Sequence, residues 1–378
     1  MENRLRESGL YIHVPFCESR CIYCDFYSQT LGPVWREKYL SALKRELAMR
    51  SGETDALRTI YFGGGTPSVL SVSQVADVME CIRTYYNICA DAEITFEMNP
   101  DDVSPDYVAA LLEVGINRIS LGVQTFDDAL LAFLRRRHTA SQATDAVCLL
   151  ADAMHKRGVS NISIDLIYGL PGQSMETWFR DVEKALSLPI SHLSAYSLTY
   201  EKGTPLHYML ASGRVVQVPE ETSLLMFRYL TEEACRRGFF HYEISNFALP
   251  GFESRHNSSY WQGVPYIGTG PGAHSFDGCR QRRWNLPDLK RYVGEGSVPC
   301  DFERLSDTEL FNEKIMTRLR TSEGLDLTEL SEEKKDFVIN IAKPHVEKKR
   351  MRLYKEKLML TFEGIYTSND IISDFMKV

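Results

Sequence analysis

Short runs of β-branched and aromatic residues recur at positions 10–14, 59–62, 94–97, 118–122, 161–167 and 192–198, and each reads as a buried strand. Between them, apolar residues fall at helical spacing, as in Tyr39, Leu40, Leu43 and Leu47, or Val147, Leu150, Ala151 and Met154. Six strands alternating with helices predict a parallel sheet with helical crossovers. Right-handed crossovers curl such a series toward a full or partial β/α barrel. Beyond residue 200 the rhythm weakens. A helix is expected over 220–237, then a Gly/Pro/Asn-rich irregular stretch over 246–277, too long for a simple connector. A helical run over 307–320 opens a region of mixed-charge helices, and 358–367 alternates like a hairpin. The reading divides the chain at 1–210, 211–300 and 301–378. The charge runs 332–335 and 348–352 read as solvated helix faces, and no repeat or low-complexity segment is visible.

Composition adds limits. With 378 residues, 44% hydrophobic and 25% charged, the chain can bury a sizeable core and is neither collagen-like nor a mini-protein. The net charge of −8 divides as 29 − 35 = −6 over residues 1–300 and 14 − 16 = −2 over 301–378. Neither part has the basic excess of a nucleic-acid binder. No apolar run approaches the roughly 18 residues of a membrane span. The opening MENRLRESGLYIHV lacks a secretory leader's apolar core, so a cytoplasmic location without a membrane anchor is expected.

Three of nine cysteines, Cys17, Cys21 and Cys24, crowd into eight residues just after the first predicted strand. That is the end of a barrel strand where sites are built. Three thiolates at this spacing can wrap one iron–sulfur cluster and leave one iron open to a small chelating molecule. A zinc site completed by His13, or buried unliganded thiols, are the alternatives. Cys81, Cys89, Cys148, Cys235, Cys279 and Cys300 are scattered and read as ordinary core or surface residues.

The run Tyr11-x-His13-x-Pro15-Phe16-Cys17-x3-Cys21-x2-Cys24 resembles the signature of radical S-adenosylmethionine proteins, in particular the HemN/HemW family. The similarity extends through Gly63-Gly64-Gly65-Thr66-Pro67-Ser68, Glu97-Met-Asn99-Pro100, Gly122-Val-Gln124 and Asp165-Leu-Ile-Tyr168-Gly169-Leu170-Pro171-Gly172 to Arg320-Thr-Ser-Glu-Gly324. The resemblance implies an α/β fold, a partial (β/α)6 barrel followed by a small helical, winged-helix-like C-terminal domain. It implies a 4Fe–4S cluster on Cys17, Cys21 and Cys24. It also implies S-adenosylmethionine held by Gly64, Gly65, Thr66, Glu97, Gln124, Arg136 and Asp165, with Tyr11 and Tyr23 among the contacts.

Two positions divide the family. The coproporphyrinogen-decarboxylating branch carries a further cysteine two residues after the third ligand, where this chain has Phe26. His256-Asn257-Ser258-Ser259-Tyr260-Trp261 instead resembles the HNxxYW heme-binding motif of the chaperone branch. By that resemblance His256 is an axial iron ligand, with Tyr260 and Trp261 flanking the macrocycle, in a segment that could present heme at the surface. The plain alternative is a loop histidine bonded to backbone. The implied partners are heme or porphyrin, heme-accepting proteins and an electron donor. The alternative function is conversion of coproporphyrinogen III to protoporphyrinogen IX, against which Phe26 stands.

Overall fold

A computed structural model describes residues 7–294 and 296–377. The reading of the chain's opening as leader-free rests partly on residues 1–6, outside the described residues. Strands and helices alternate as β1 (Glu7–Val14), α1 (Pro33–Arg50), β2 (Ala56–Gly64), α2 (Val72–Tyr85), β3 (Ile88–Met98), α3 (Pro105–Glu113), β4 (Arg118–Gln124), α4 (Asp128–Phe133), α5 (Ala140–His155), β5 (Ile162–Tyr168), α6 (Met175–Ser187) and β6 (His192–Ser197). Side chains fix several helix starts. Ser71 with Gln74, and Thr139 with Gln142, form reciprocal capping boxes that satisfy otherwise orphaned backbone N–H groups of α2 and α5.

The six strands are parallel and in sequence order, so every expected strand is present; β1 to β4 run longer than their apolar runs, β5 is shifted by one residue and β6 is one residue shorter. Their apolar rows pack outward against the helices: Leu10, Ile12 and Val14; Ile60 and Phe62; Ile94, Phe96 and Met98; Ile119, Leu121 and Val123; Ile162, Ile164 and Leu166. Because strand side chains alternate faces, the intervening residues line the concave side. These are Tyr11, Tyr61, Thr95, Glu97, Arg118, Ser120, Ser163, Asp165, His192 and Ser194. A barrel interior is usually closed by layers of branched apolar side chains; this one is a polar lumen.

The chain continues through α7 (Pro205–Ala211), α8 (Glu220–Arg236), β7 (Phe240–Glu243), β8 (Asn246–Ala248), α9 (Arg255–Gln262), β9 (Tyr266–Thr269), β10 (His274–Phe276), β11 (Gln281–Asn285), α10 (Leu289–Tyr292) and β12 (Cys300–Arg304). β8 and β7 add antiparallel to β6. β9 joins β1 in parallel, and β10, β11 and β12 follow antiparallel. Region 246–277 is therefore not irregular: its glycines and prolines punctuate short strands and a helix. The expected division between 300 and 301 falls inside β12, whose pairing with β11 carries the large sheet to Arg304.

The remainder is α11 (Asp307–Arg318), β13 (Leu325–Asp326), α12 (Glu332–Glu347), β14 (Met351–Tyr354), β15 (Lys357–Leu360), α13 (Phe362–Tyr366) and α14 (Ser368–Asp374), around a core of its own. The three strands form a small antiparallel sheet. The hairpin lies earlier than expected. Lys355 and Glu356 take φ 48° and 63° in the two-residue turn between β14 and β15, a turn that carries no glycine signal. Residues 362–366 are helical, and 348–352 is a turn entering β14, not a helix face. Phe362 stacks on Phe227 of α8 at 5.5 Å, joining this unit to the barrel. Among the described residues no helix is long and apolar enough to cross a membrane.

Candidate functional site

At the C-terminal end of β1 the chain leaves the sheet and returns on itself. Cys17 N donates to the Gln29 carbonyl at 3.1 Å and Gln29 N to the Pro15 carbonyl at 2.8 Å, closing a loop that holds all three clustered cysteines. Ile22 plugs an apolar pocket of Leu130, Leu134, Ile167, Leu170 and Leu206, and Leu206 N donates to the Ile22 carbonyl at 2.9 Å. The loop is thereby pinned from its middle as well as from its ends.

The strand ends meet it. Gly65 sits so close that a β-carbon there would come within 2.5 Å of the Phe16 carbonyl oxygen and 3.0 Å of Cys17 Sγ. Thr66 Oγ1 lies 3.5 Å from Cys17 Sγ. Arg136 reaches over from the turn after α4. It donates to Cys21 Sγ at 3.5 Å, to Asn99 Oδ1 at 2.7 Å and to the Gly122 carbonyl at 2.6 Å, and its Nε has no partner. The Tyr23 phenol lies beside Cys21 and within electrostatic reach of Arg136, and burial raises its pKa. Burial, ahead of the other thiols, pushes Cys24 up to about 11.

Glu97 accepts from Tyr61 Oη at 2.7 Å and from Gly64 N at 3.3 Å. Burial, reinforced by Asp165, nevertheless pushes its carboxyl up to about 7. Asp165 is pushed to about 6, also by burial. Gln124 is held in the left-handed region at φ 72°, a strained conformation for a non-glycine residue and a feature that concentrates at functional sites. A β-carbon on Gly122 would stand 2.9 Å from Gln124 Nε2 and 3.3 Å from Arg136 Nη2, so these three positions converge. Glu97, Gln124, Arg136 and Asp165 thus face the same mouth as Cys17, Cys21 and Cys24.

Two supports were given no role from sequence. Asn99 orients Arg136. Asp181, buried on α6, accepts from Thr125 Oγ1 and Phe126 N, each at 2.7 Å, and clamps the turn that follows Gln124. Asn99 lay within a quoted motif without a role, whereas Asp181 sits in an ordinary amphipathic helix.

His13 does not complete a zinc site. Its Nε2 bonds the Tyr27 carbonyl at 2.8 Å and its Nδ1 the Tyr11 hydroxyl at 3.1 Å. Among the described residues no three His, Cys, Asp or Glu side chains converge on one ion. A cluster asks less, because each thiolate binds its own iron. Three half-buried thiols on one pinned loop, the cleared space at Gly65 and the unpartnered Arg136 Nε fit such a group with a chelating molecule beside it.

The HNxxYW segment lies elsewhere, which corrects the expectation of an exposed, irregular loop. It forms α9, under the opposite end of the barrel, with Arg255 N and His256 N capped by the Glu93 carboxylate at 3.1 and 3.0 Å. His256 is 1% exposed. Its Nδ1 pairs with Thr59 Oγ1 and its Nε2 with Tyr260 Oη, both at 2.8 Å. Nor is it a loop histidine bonded to backbone. Burial, aided by the charge of Arg118, lowers its pKa to about 3 and keeps the ring neutral. Tyr11 packs in this lower layer, its ring 6.0 Å from Tyr61 and 6.3 Å from His256. Trp261 has a buried, unpartnered Nε1.

Fold and site together define a radical S-adenosylmethionine protein, and the sequence matches the Radical SAM superfamily over residues 11–185. Membership implies an iron–sulfur cluster and S-adenosylmethionine. Coproporphyrinogen III oxidase (HemN) from Escherichia coli shares the fold, with a TM-score of 0.82, 21% identity, and coverage of 99% of this chain and 91% of that one. Heme chaperone HemW of Lactococcus lactis subsp. lactis (strain IL1403) is 36% identical over 98% of both chains. That of Bacillus subtilis (strain 168) is 33% identical over 97% of this chain and 98% of its own. The chain belongs to the heme chaperone HemW family.

Proposed function

We propose that this protein binds heme and passes it to heme-accepting proteins, on a scaffold carrying a 4Fe–4S cluster and S-adenosylmethionine. The observation that carries the reading is the correspondence with curated heme chaperones over essentially the whole chain. Phe26, where the decarboxylating branch resembled in sequence has a further cysteine, is 62% exposed beside the cysteine loop. Cys17, Cys21 and Cys24 are the proposed cluster ligands. When bound, the cluster and S-adenosylmethionine supply one-electron cleavage of a sulfonium C–S bond, with the electron drawn from an external donor.

The chain's own residues are suited to hold that cofactor. Gly64, Gly65 and Thr66 leave room beside Cys17, while Glu97 and Asp165 offer carboxylates to an ammonium or a ribose diol. Arg136 offers its free Nε to a carboxylate, and Gln124 and Tyr23 flank it. The nine unpaired cysteines suit a reducing, cytoplasmic setting. His256 is the proposed iron ligand, which would have to exchange its Tyr260 hydrogen bond for iron, and Tyr260 and Trp261 would offer aromatic surface to the macrocycle.

The test is to titrate the anaerobically reconstituted protein with heme and with coproporphyrinogen III in parallel. A saturable heme spectrum without porphyrinogen turnover is expected; turnover without a heme complex overturns the reading.

A further inference from the structure

The lumen holds a cation that the cofactor site does not use. Backbone register places Tyr11 beside Tyr61, Tyr61 beside Thr95, and Thr95 beside Arg118, one lateral row across four strands below the level of Glu97. Arg118 is 1% exposed and Thr95 is 0% exposed. Arg118 Nε and Thr95 Oγ1 both lack a hydrogen-bond partner. Among the described residues Arg118 makes no ion pair within 4.0 Å. A guanidinium carries five donors that cannot be switched off by deprotonation. Leaving one buried without a counter-charge is among the costliest arrangements in a protein interior.

The surroundings do not supply that charge. His192 on β6 and His256 on α9 face Arg118 and are held neutral, by burial first and then by the arginine itself. The tyrosines that feel it, Tyr61 on β2 and Tyr242 on β7, keep their protons. Glu93, two residues before Thr95 on the same face of β3, spends its carboxylate on Arg255 N and His256 N, while Glu97 and Asp165 stand higher in the lumen, where burial holds both toward the neutral acid.

We infer that the lower lumen is a binding site for a small organic carboxylate, seated on the Arg118 guanidinium and the Thr95 hydroxyl. A planar carboxylate matches the guanidinium fork through two parallel hydrogen bonds, and Thr95 adds a third donor from the neighbouring strand. The site takes only a short molecule. A β-carbon at Gly63, one layer above, would already stand 2.8 Å from Tyr61 and 3.1 Å from Tyr11 and from Glu97, so the walls are close there. The inference concerns the lumen alone and does not depend on the heme reading.

The probe is sodium propionate, compared with sodium chloride at equal ionic strength, with thermal unfolding of the full chain as readout. Propionate should raise the melting temperature of the wild type saturably, beyond any effect of chloride. Arg118→Met should melt higher than the wild type in chloride, because an unpaired buried charge has been replaced by an apolar side chain of similar length, and should lose the propionate response. Thr95→Val, which keeps the shape, should weaken the propionate response about tenfold and serves as the test if the arginine variant does not fold. An absent propionate response in the wild type, or an unchanged one in Arg118→Met or in Thr95→Val, overturns the inference.

Discussion

Replacing Glu97 with Gln removes one ionisable group from the lumen while keeping its shape, and the consequence can be worked out from the site. The native carboxyl is pushed from about 4.5 up to about 7, by burial first and by Asp165 as the leading charge, against the bonds from Tyr61 and Gly64. The native state therefore holds this proton more tightly than the unfolded chain does. Between about pH 4.5 and about pH 7 it binds more protons, so the contribution of Glu97 to stability falls as pH rises through that window and levels off above it. A shift of about 2.5 units at about 1.4 kcal/mol per unit amounts to about 3 kcal/mol. Glu97→Gln escapes this loss. Its stability relative to the wild type should climb by up to about 3 kcal/mol from pH 4.5 to pH 8, on a constant offset of about 1 kcal/mol from the altered Tyr61 hydrogen bond. Urea unfolding of both proteins across that range, with unchanged m-values, measures the difference. A difference that is flat or falls with pH would refute the reasoning. In the same variant, S-adenosylmethionine should bind more weakly, because an amide cannot offer charge to a cationic ligand.

Gly65→Ala drives a β-carbon into the Phe16 carbonyl and Cys17; it should cost about 1–3 kcal/mol and lower iron and sulfide content after anaerobic reconstitution. Asp181→Ala leaves Thr125 and Phe126 N without their acceptor. A loss of about 2–4 kcal/mol in urea unfolding is expected, with weaker S-adenosylmethionine binding as the Gln124 turn loosens. Tyr260→Phe frees His256 Nε2. If that nitrogen ligates iron, heme titrations followed by absorption should show about fivefold tighter binding, while His256→Ala should weaken it with cluster content unchanged. Equal heme binding in both variants would remove His256 from the iron.

Much of the barrel could be read from sequence because local signals agreed with the fold: the apolar row of each strand, and caps such as Ser71 with Gln74, mark elements from nearby residues. The cysteine loop was legible for the same reason, its three cysteines lying within eight residues of one another. What escaped depends on distant partners. Asp181 matters only because the fold sets it against Thr125 and Phe126. The β14–β15 hairpin turns on Lys355 and Glu356, residues that rarely take left-handed backbone.

The expected surface position of His256 failed for the same reason, with a larger consequence. A motif states which side chains travel together, but their position depends on Glu93, which caps α9 from β3 across more than 160 positions of sequence. That cap turns a segment rich in polar residues into the floor of the barrel. The two chemistries suggested by sequence, thiolates above and imidazole below, then stand at opposite ends of one polar column. His256 lies with its ring 5.0 Å from Tyr61, and Tyr61 donates to Glu97, which in turn accepts from Gly64 in the cofactor mouth. Tyr61 is thus the residue that both ends share, packed against His256 and Tyr11 below and bonded to Glu97 above, so a heme-induced displacement of α9 should register at Glu97 through this phenol.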